Sequence, residues 1–166
     1  MGGSSVAGLT TEHDVYTSSL EKVEALKQLT ADMHKQYSSV VRPINDTTSE
    51  YVVSTVKHFY ERLVIIQYGI KNTMDDQILT NVNLKIENFV SESGLTVKGV
   101  IPLAEGDSIK VAEMRFIYLL LDRTGSSQPY PQAKVKASLS MMIAEIDVDT
   151  EEEVGTYEED FDIAEV

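Results

Sequence analysis

The chain has 166 residues, of which 42% are apolar and 25% charged, a globular composition with room for one domain of ordinary size and a modest extension. It contains no cysteine, which excludes disulfides, thiolate metal ligands and a cysteine nucleophile and suits a reducing compartment. Most of its net charge of −13 comes from residues 145–166, which carry 11 acidic and no basic side chains. Because phosphate-backbone binding needs a basic face, we expect no nucleic-acid partner.

The start of the chain is predicted to contribute nothing to the fold. Residues 1–8 have the composition of a flexible leader. The first twenty residues lack a basic start and an apolar stretch, so no secretory signal is expected. The longest apolar run, residues 116–121, is far shorter than the roughly 20 residues that span a bilayer. The sequence therefore predicts no membrane-spanning segment.

Residues 9–48 are predicted to form an amphipathic helical linker. Apolar residues between positions 20 and 37 recur every three or four residues, which places them on one stripe of a helix. Pro43 and the polar cluster at residues 45–48 end the pattern. Such a stripe indicates a helix that packs on a neighbouring domain or on another chain.

From residue 49 onward the apolar period changes from 3.6 to 2, which predicts strands with one buried and one solvated face. Turn-rich breaks place these strands at about 51–59, 63–71, 79–87, 95–101, 109–121, 133–146 and 157–166. The side chains predicted to face the core are Val64, Ile66, Tyr68, Ile70, Val82, Leu84, Ile86, Val135, Ala137, Leu139, Met141 and Ile143. Since no second helical stretch intervenes, residues 49–166 are predicted to form a mainly β fold, an immunoglobulin-like antiparallel β-sandwich preceded by the helical linker.

Residue patterns typical of catalysis are missing from the sequence. The nine glycines form no phosphate-binding motif, and no serine lies in a nucleophile-elbow motif. The histidines lack paired metal-ligand spacing. His13 and His34 are predicted to be exposed on the helical segment, and His58 is predicted to face solvent or the rim of the sheet. We therefore predict a non-enzymatic protein with no catalytic, cofactor-binding or metal-binding residues.

Two acidic clusters admit a second interpretation. Asp75 and Asp76 could serve acid–base chemistry or calcium binding, but their place between two strand patterns favours a turn. The acidic run from Asp147 to Glu158 imitates the spacing of a calcium loop, although Glu152 stands where that loop needs glycine. A solvated acidic hairpin is therefore favoured, and a calcium-responsive binding module stays open as an alternative function.

The strand region carries motifs that resemble a known family. The motifs are residues 49–53 (SEYVV), 56–60 (VKHFY), 64–68 (VIIQY) and 72–82 (NTMDDQILTNV), followed by 138–142 (SLSMM), the acidic loop and 157–163 (YEEDFDI). In this order they resemble the appendage domain of the coatomer gamma subunit, which has a Glu-Tyr-Val strand, a Lys-His pair and an Asn-Thr-x-x-Asp-Gln turn. The resemblance covers residues 49–166 and is sharpest over 50–87.

The resemblance implies a component of the COPI coat, which assembles with the small GTPase Arf and carries cargo between Golgi compartments and back to the endoplasmic reticulum. It implies a cytoplasmic protein, peripheral on Golgi membranes and COPI vesicles, that reaches the membrane only through the coat. The implied partners are other coatomer subunits, bound through the parent chain, and an Arf GTPase-activating protein. Family appendages bind the latter through a platform subdomain after the sandwich, which we expect to be absent here, so no partner-binding residue is assigned. The related appendage of a clathrin adaptor is the second interpretation.

Overall fold

The computed structural model describes residues 12–44, 50–124, 131 and 133–162. These residues form two helices, α1 (Glu12–Glu21) and α2 (Glu24–Thr30), and ten strands. The strands are β1 (Lys35–Ser38), β2 (Arg42–Pro43), β3 (Tyr51–Tyr60), β4 (Leu63–Asn72), β5 (Gln77–Val90), β6 (Thr96–Ile101), β7 (Ser108–Ile109), β8 (Met114–Asp122), β9 (Lys134–Ile146) and β10 (Glu153–Asp162). The predicted leader, the polar cluster at 45–48 and the end of the last predicted strand lie outside the described residues. Neither described helix is long and apolar enough to cross a membrane.

The strands form two antiparallel sheets. The six-stranded sheet has the order β1-β3-β4-β8-β6, and β2 also pairs with β3. The four-stranded sheet has the order β10-β9-β5-β7. All described strand pairs are antiparallel, and the prediction of a mainly β sandwich is confirmed.

The main core lies between the two sheets. On the six-stranded side it contains the predicted face of β4, and on the four-stranded side it contains the predicted faces of β5 and β9. Leu84 and Leu139 are both buried, with 5% and 0% of their surface exposed. Alternation predicts the core residues of these strands because successive side chains of a strand point to opposite faces of the sheet.

A second core lies on the opposite face of the six-stranded sheet. Leu20 of α1 and Leu26 of α2 pack there on Leu63 and Ile65 of β4 and on Leu120 of β8. The prediction that each sheet has one solvated face is therefore wrong for the six-stranded sheet, because the helices cover its outer face. This double burial explains why nine of the ten residues of β4 are buried.

The predicted helical segment is shorter than its apolar stripe suggests. The helices end at Thr30, and β1 and β2 then pair along the free edge of β3. Ser38, Ser39 and the β-branched Val40 are weak helix formers, and the exposed edge of β3 offers this stretch backbone partners that a helix would not use. The segment is thus part helix and part edge strand.

Two strands depart from the predicted pattern because of residues with positive φ. Asn81 (φ 51°) lies where the pairing of β5 with β9 shifts register. Strict alternation counted back from Val82 would place Ile78 in the core. Because of the shift, Leu79 is the buried residue instead, and Ile78 is only partly buried. Ala112 (φ 64°) lies between β7 and β8. The single strand predicted over 109–121 is therefore two strands in different sheets.

Candidate interaction surfaces

A chain of buried hydrogen bonds links α1 to the six-stranded sheet through His58. The ring Nδ1 of His58 lies 2.7 Å from the Ser38 hydroxyl, and its Nε2 lies 2.7 Å from the Gln67 side-chain oxygen. The Gln67 amide in turn donates to the Tyr16 carbonyl at 2.9 Å. This network assigns the ring proton to Nε2, with Nδ1 accepting from Ser38.

The environment of His58 keeps its ring neutral. The side chain is fully buried, and burial lowers its pKa to about 4, although the hydrogen bond with Gln67 acts in the opposite direction. The prediction that His58 faces solvent or the rim is therefore wrong. Its neighbour Phe59 faces the inter-sheet core, so alternation places His58 on the outer face, and the covering helix buries it. His34 is exposed as predicted, but it lies between α2 and β1, and His13 is partly buried.

Tyr16 anchors α1 by filling a space above a glycine. A Cβ at Gly69 would lie 2.7 Å from the Tyr16 Cζ and 3.2 Å from the Met114 sulfur, closer than side chains normally approach. The Tyr16 ring also makes an edge contact with Phe116, with 4.9 Å between ring centroids. Sequence periodicity cannot identify the contacts of Tyr16 with Gly69 and Phe116, since each joins residues more than fifty positions apart.

The turn between β4 and β5 forms as predicted. The Asn72 side-chain oxygen accepts from the Met74 backbone at 2.9 Å, and its amide donates to the carbonyls of Gln77 and Ile109 at 2.8 and 3.0 Å. Asp75 and Asp76 occupy the turn itself. Asn72 thus joins the turn to β7, which makes this motif structural.

The acidic segment forms the predicted hairpin between β9 and β10. The Asp147 carboxylate accepts hydrogen bonds from the backbone of Asp149 at 2.8 Å and of Thr150 at 3.2 Å. Glu151 has a φ of 61° and donates its backbone N–H to the Asp147 carbonyl at 2.7 Å. Within the described residues, no three acidic or histidine side chains are grouped so as to hold a metal ion. The Asp147 carboxylate therefore closes the turn, and the calcium-loop interpretation gains no support.

One large groove opens between the two sheets at one end of the sandwich, and we call it the inter-sheet groove. It has a volume of about 890 Å³. Its walls include Tyr37, Lys57 and Phe59 from the six-stranded sheet, Val90 and Lys134 from the four-stranded sheet, and Leu95 from the segment between β5 and β6. The rings of Tyr37 and Phe59 stack with 4.3 Å between centroids and 14° between planes.

A second groove, of about 790 Å³, lies on the outer face of the six-stranded sheet beside the end of α1. Val23, Ile101 and Phe116 provide apolar surface, while Lys22 and Arg115 provide positive charge. Asp107 and Glu113 also line it. The mixture of both charge signs gives this groove no single electrostatic preference.

The described residues therefore define a helix-covered antiparallel β-sandwich whose buried polar groups hold the fold together and whose accessible features are surface grooves. Residues 14–166 match the family described as the coatomer gamma subunit appendage platform subdomain. The chain belongs to this family.

Individual coatomer gamma subunits are similar to this chain over part of its length. The subunit from Dictyostelium discoideum is 28% identical over 120 residues, which is 69% of this chain and 12% of that protein. The probable gamma subunit from Schizosaccharomyces pombe is 27% identical over 123 residues, 72% of this chain and 13% of that protein. The subunit from Drosophila melanogaster is 29% identical over 75 residues, 45% of this chain and 8% of that protein. The chain thus spans about an eighth or less of these relatives.

The matching family confirms the resemblance to coatomer gamma but bounds the domain differently. Its description names the platform subdomain, whereas the resemblance implied that this subdomain is absent here. The match also begins at residue 14, inside α1, so α2 and most of α1 lie within the matched region. The described residues of the matched region form the two packed sheets and the helices that cover one of them.

Proposed function

We propose that this chain is the appendage module of a COPI coat component and acts there as a non-enzymatic scaffold for protein interactions. The proposed process is vesicle transport from the Golgi to the endoplasmic reticulum and within the Golgi. The observation that carries the proposal is the family match over residues 14–166. Similarity to coatomer gamma subunits from amoeba, yeast and fly supports it.

The fate of the polar side chains supports a scaffold rather than an enzyme. His58 and Gln67 are buried and bonded to each other and to the backbone of α1, and Asn72 is used to join a turn to a strand. Catalysis needs convergent groups that can reach a substrate. The side chains of His58, Gln67 and Asn72 are instead engaged in hydrogen bonds inside the fold. What the fold offers to another molecule is groove surface.

The partners proposed for the parent protein are the other coatomer subunits, and its proposed location is the cytoplasm, at the periphery of Golgi membranes and COPI vesicles. The gamma subunits similar to this chain bear the name coatomer, which supports membership of a multi-subunit coat. An Arf GTPase-activating protein stays a predicted partner that follows from the resemblance.

Affinity purification of the tagged parent protein tests this function. We expect coatomer subunits to co-purify and to elute with it as one complex in gel filtration. A matched parent protein that lacks residues 14–166 should keep the coat subunits and lose the partners that the appendage recruits. Recovery of clathrin-adaptor subunits instead would favour the related adaptor appendage, and recovery of neither set would contradict the proposal.

A further inference from the structure

The tip of the hairpin between β9 and β10 carries a threonine among acidic side chains. Thr150 is flanked by Asp147 and Asp149 on one side and by three consecutive glutamates on the other, and every residue from 147 to 153 is exposed. Protein kinases that prefer acidic substrates place basic side chains around the position of the substrate hydroxyl, so that carboxylates near it, above all three residues after it, are recognised. Glu153 provides the carboxylate at that position.

Several other hydroxyl groups share this spacing, and the structure separates them. Among the described residues, those with a carboxylate three positions further on are Ser18, Thr73, Thr150 and Thr156. Ser18 lies inside α1, where the helix backbone keeps it from an extended conformation. The Thr73 hydroxyl donates to the Glu50 carbonyl at 2.7 Å. The Thr156 hydroxyl lies within β10 and donates to the Glu153 carboxylate.

The hydroxyl proton of Thr150 has no acceptor among the described residues. The Thr150 Oγ1 only accepts a long hydrogen bond, from the Glu152 backbone N–H at 3.4 Å. The hydroxyl groups of Thr73 and Thr156 would have to break a hydrogen bond of their own before they could react. Thr150 therefore has the most accessible hydroxyl of the three threonines.

The turn that contains Thr150 can open at low cost. A kinase cleft takes its substrate as an extended segment, so the turn must unfold locally. It is closed by two backbone hydrogen bonds, one from Asp147 to the Glu152 carbonyl at 2.8 Å and one from Glu151 to the Asp147 carbonyl at 2.7 Å. The apolar side chains beside it, Val148 and Val154, are already 55% and 67% exposed. Segments with so few buried apolar contacts open with small free energies.

We propose that Thr150 is phosphorylated by a protein kinase that recognises acidic substrates, with ATP as the co-substrate. The Thr150 Oγ1 attacks the γ-phosphorus and forms the new O–P bond. The bond from this phosphorus to the bridging oxygen breaks, ADP leaves with the electron pair, and a carboxylate of the kinase takes up the hydroxyl proton. The inference goes beyond the proposed scaffold function and does not depend on it.

The added phosphate is expected to loosen the turn. It carries a charge of about −1.5 to −2 at pH 7, and it stands close to the Asp147 carboxylate, which accepts hydrogen bonds from the backbone of Asp149 at 2.8 Å and of Thr150 at 3.2 Å. Residues 145–166 contain no lysine or arginine that could offset the new charge. Repulsion between like charges should therefore weaken these hydrogen bonds and the adjoining start of β10.

Phosphorylation of the purified 166-residue chain by casein kinase II tests the proposal. We expect stoichiometric incorporation of phosphate from ATP, located at Thr150 by mass spectrometry of proteolytic peptides. Thr150→Val should abolish this incorporation, whereas Thr156→Val should leave it unchanged. Thermal unfolding of each variant verifies that it is folded. A synthetic peptide with the sequence of residues 145–155 serves as the unfolded reference substrate.

Two further measurements examine recognition and consequence separately. Glu153→Gln should lower kcat/KM for phosphorylation about tenfold or more, as expected for loss of a charge-assisted contact. Glu159→Gln is the matched control, because it removes the same charge three residues after Thr156 and should leave kcat/KM unchanged. Hydrogen exchange should become faster in residues 147–153 of the phosphorylated chain and stay unchanged in β4.

Several results would overturn the proposal. They are phosphate located mainly at another hydroxyl, equal losses of kcat/KM in Glu153→Gln and Glu159→Gln, and phosphorylation of the peptide but not of the folded chain. Unchanged exchange in residues 147–153 after phosphorylation would overturn the loosening of the turn. None of these results bears on the co-purification with coatomer, so failure of the modification site and failure of the coat function are distinguishable.

Discussion

The two faces of the six-stranded sheet are covered in different ways. The inner face meets the four-stranded sheet through aliphatic and aromatic side chains such as Val64, Ile66 and Ile70. The outer face meets the helices through a mixture of apolar side chains, a hydrogen-bond chain centred on His58, and the close approach of Tyr16 to Gly69. The same strands therefore carry two kinds of interface.

The difference shows how each interface is specified. Apolar burial is non-directional, so the inner face tolerates exchange of one aliphatic residue for another of similar volume. Hydrogen bonds and the space above a glycine depend on the position of single atoms. We infer that the inner face provides most of the stability, whereas the outer face sets where α1 lies.

The largest effect is expected from Leu139→Ala on the inner face. Leu139 is fully buried, and truncation of such a leucine should lower the free energy of unfolding by about 2–5 kcal/mol through lost burial and a residual cavity. Urea unfolding measures the change, and Ser140→Ala on the other face of β9 should change it by less than about 0.5 kcal/mol. Losses below about 0.5 kcal/mol for both Leu139→Ala and Leu84→Ala would mean that the facing is reversed.

The next-largest effect is expected from acidification, which lowers the free energy of unfolding through His58 on the outer face. Because burial lowers the pKa of His58 from 6.5 to about 4, the unfolded chain binds more protons than the folded chain between these values. The contribution of His58 is therefore intact above about pH 6.5 and is lost on acidification toward pH 4, by up to about 3 kcal/mol. His58→Gln should remove this part of the pH dependence in urea unfolding, and equal slopes for the two proteins would contradict the buried neutral ring.

A smaller effect is expected from Gly69→Ala, which would push Tyr16 and α1 away from the sheet. We expect a loss of about 1–3 kcal/mol, typical of overpacking, with faster amide exchange in α1. In a Tyr16→Ala background the same change should cost less, because the clash is gone. Gly99→Ala is the control, since a Cβ there meets nothing within 4 Å. Equal losses of unfolding free energy in the two glycine variants would show that the absence of a side chain at Gly69 is not needed for the packing of Tyr16.

The smallest effect is expected from Ser38→Ala, which removes the hydrogen bond between β1 and His58. The loss should be about 0.5–1.5 kcal/mol in the free energy of unfolding. In a His58→Gln background the same substitution should cost less, because the two side chains act through one contact. Strictly additive losses would show that β1 is held by its backbone pairing alone.

The parts of the fold that could be predicted from sequence are those governed by short-range patterns. Alternation in β9 identified Leu139 and its same-face neighbours as core residues, and the polar run at Asn72 identified a turn. Both depend on residues close in the chain, where backbone geometry alone decides which side chains share a face.

The missed features are contacts between distant segments. The edge strands β1 and β2 form because β3 offers a free edge, and His58 is buried because α1 covers it. The division of the stretch 109–121 between two sheets follows from a change of backbone direction at Ala112. For the candidate groove, no sequence pattern brings Tyr37, Lys57 and Lys134 together, because they come from three strands of two sheets.

By itself, the sequence determined the β class of the protein, the inner faces of its main strands and the family to which it belongs, since each is encoded in local periodicity and motif order. The tertiary structure alone decided that the six-stranded sheet is covered on both faces and that its helices are seated by Tyr16 on Gly69. It also decided that Lys57 and Lys134 line one groove, and among the described residues neither forms an ion pair with an acidic side chain. The physical reason is that burial and charge pairing depend on which segments meet in space, and a single strand or helix does not carry that information.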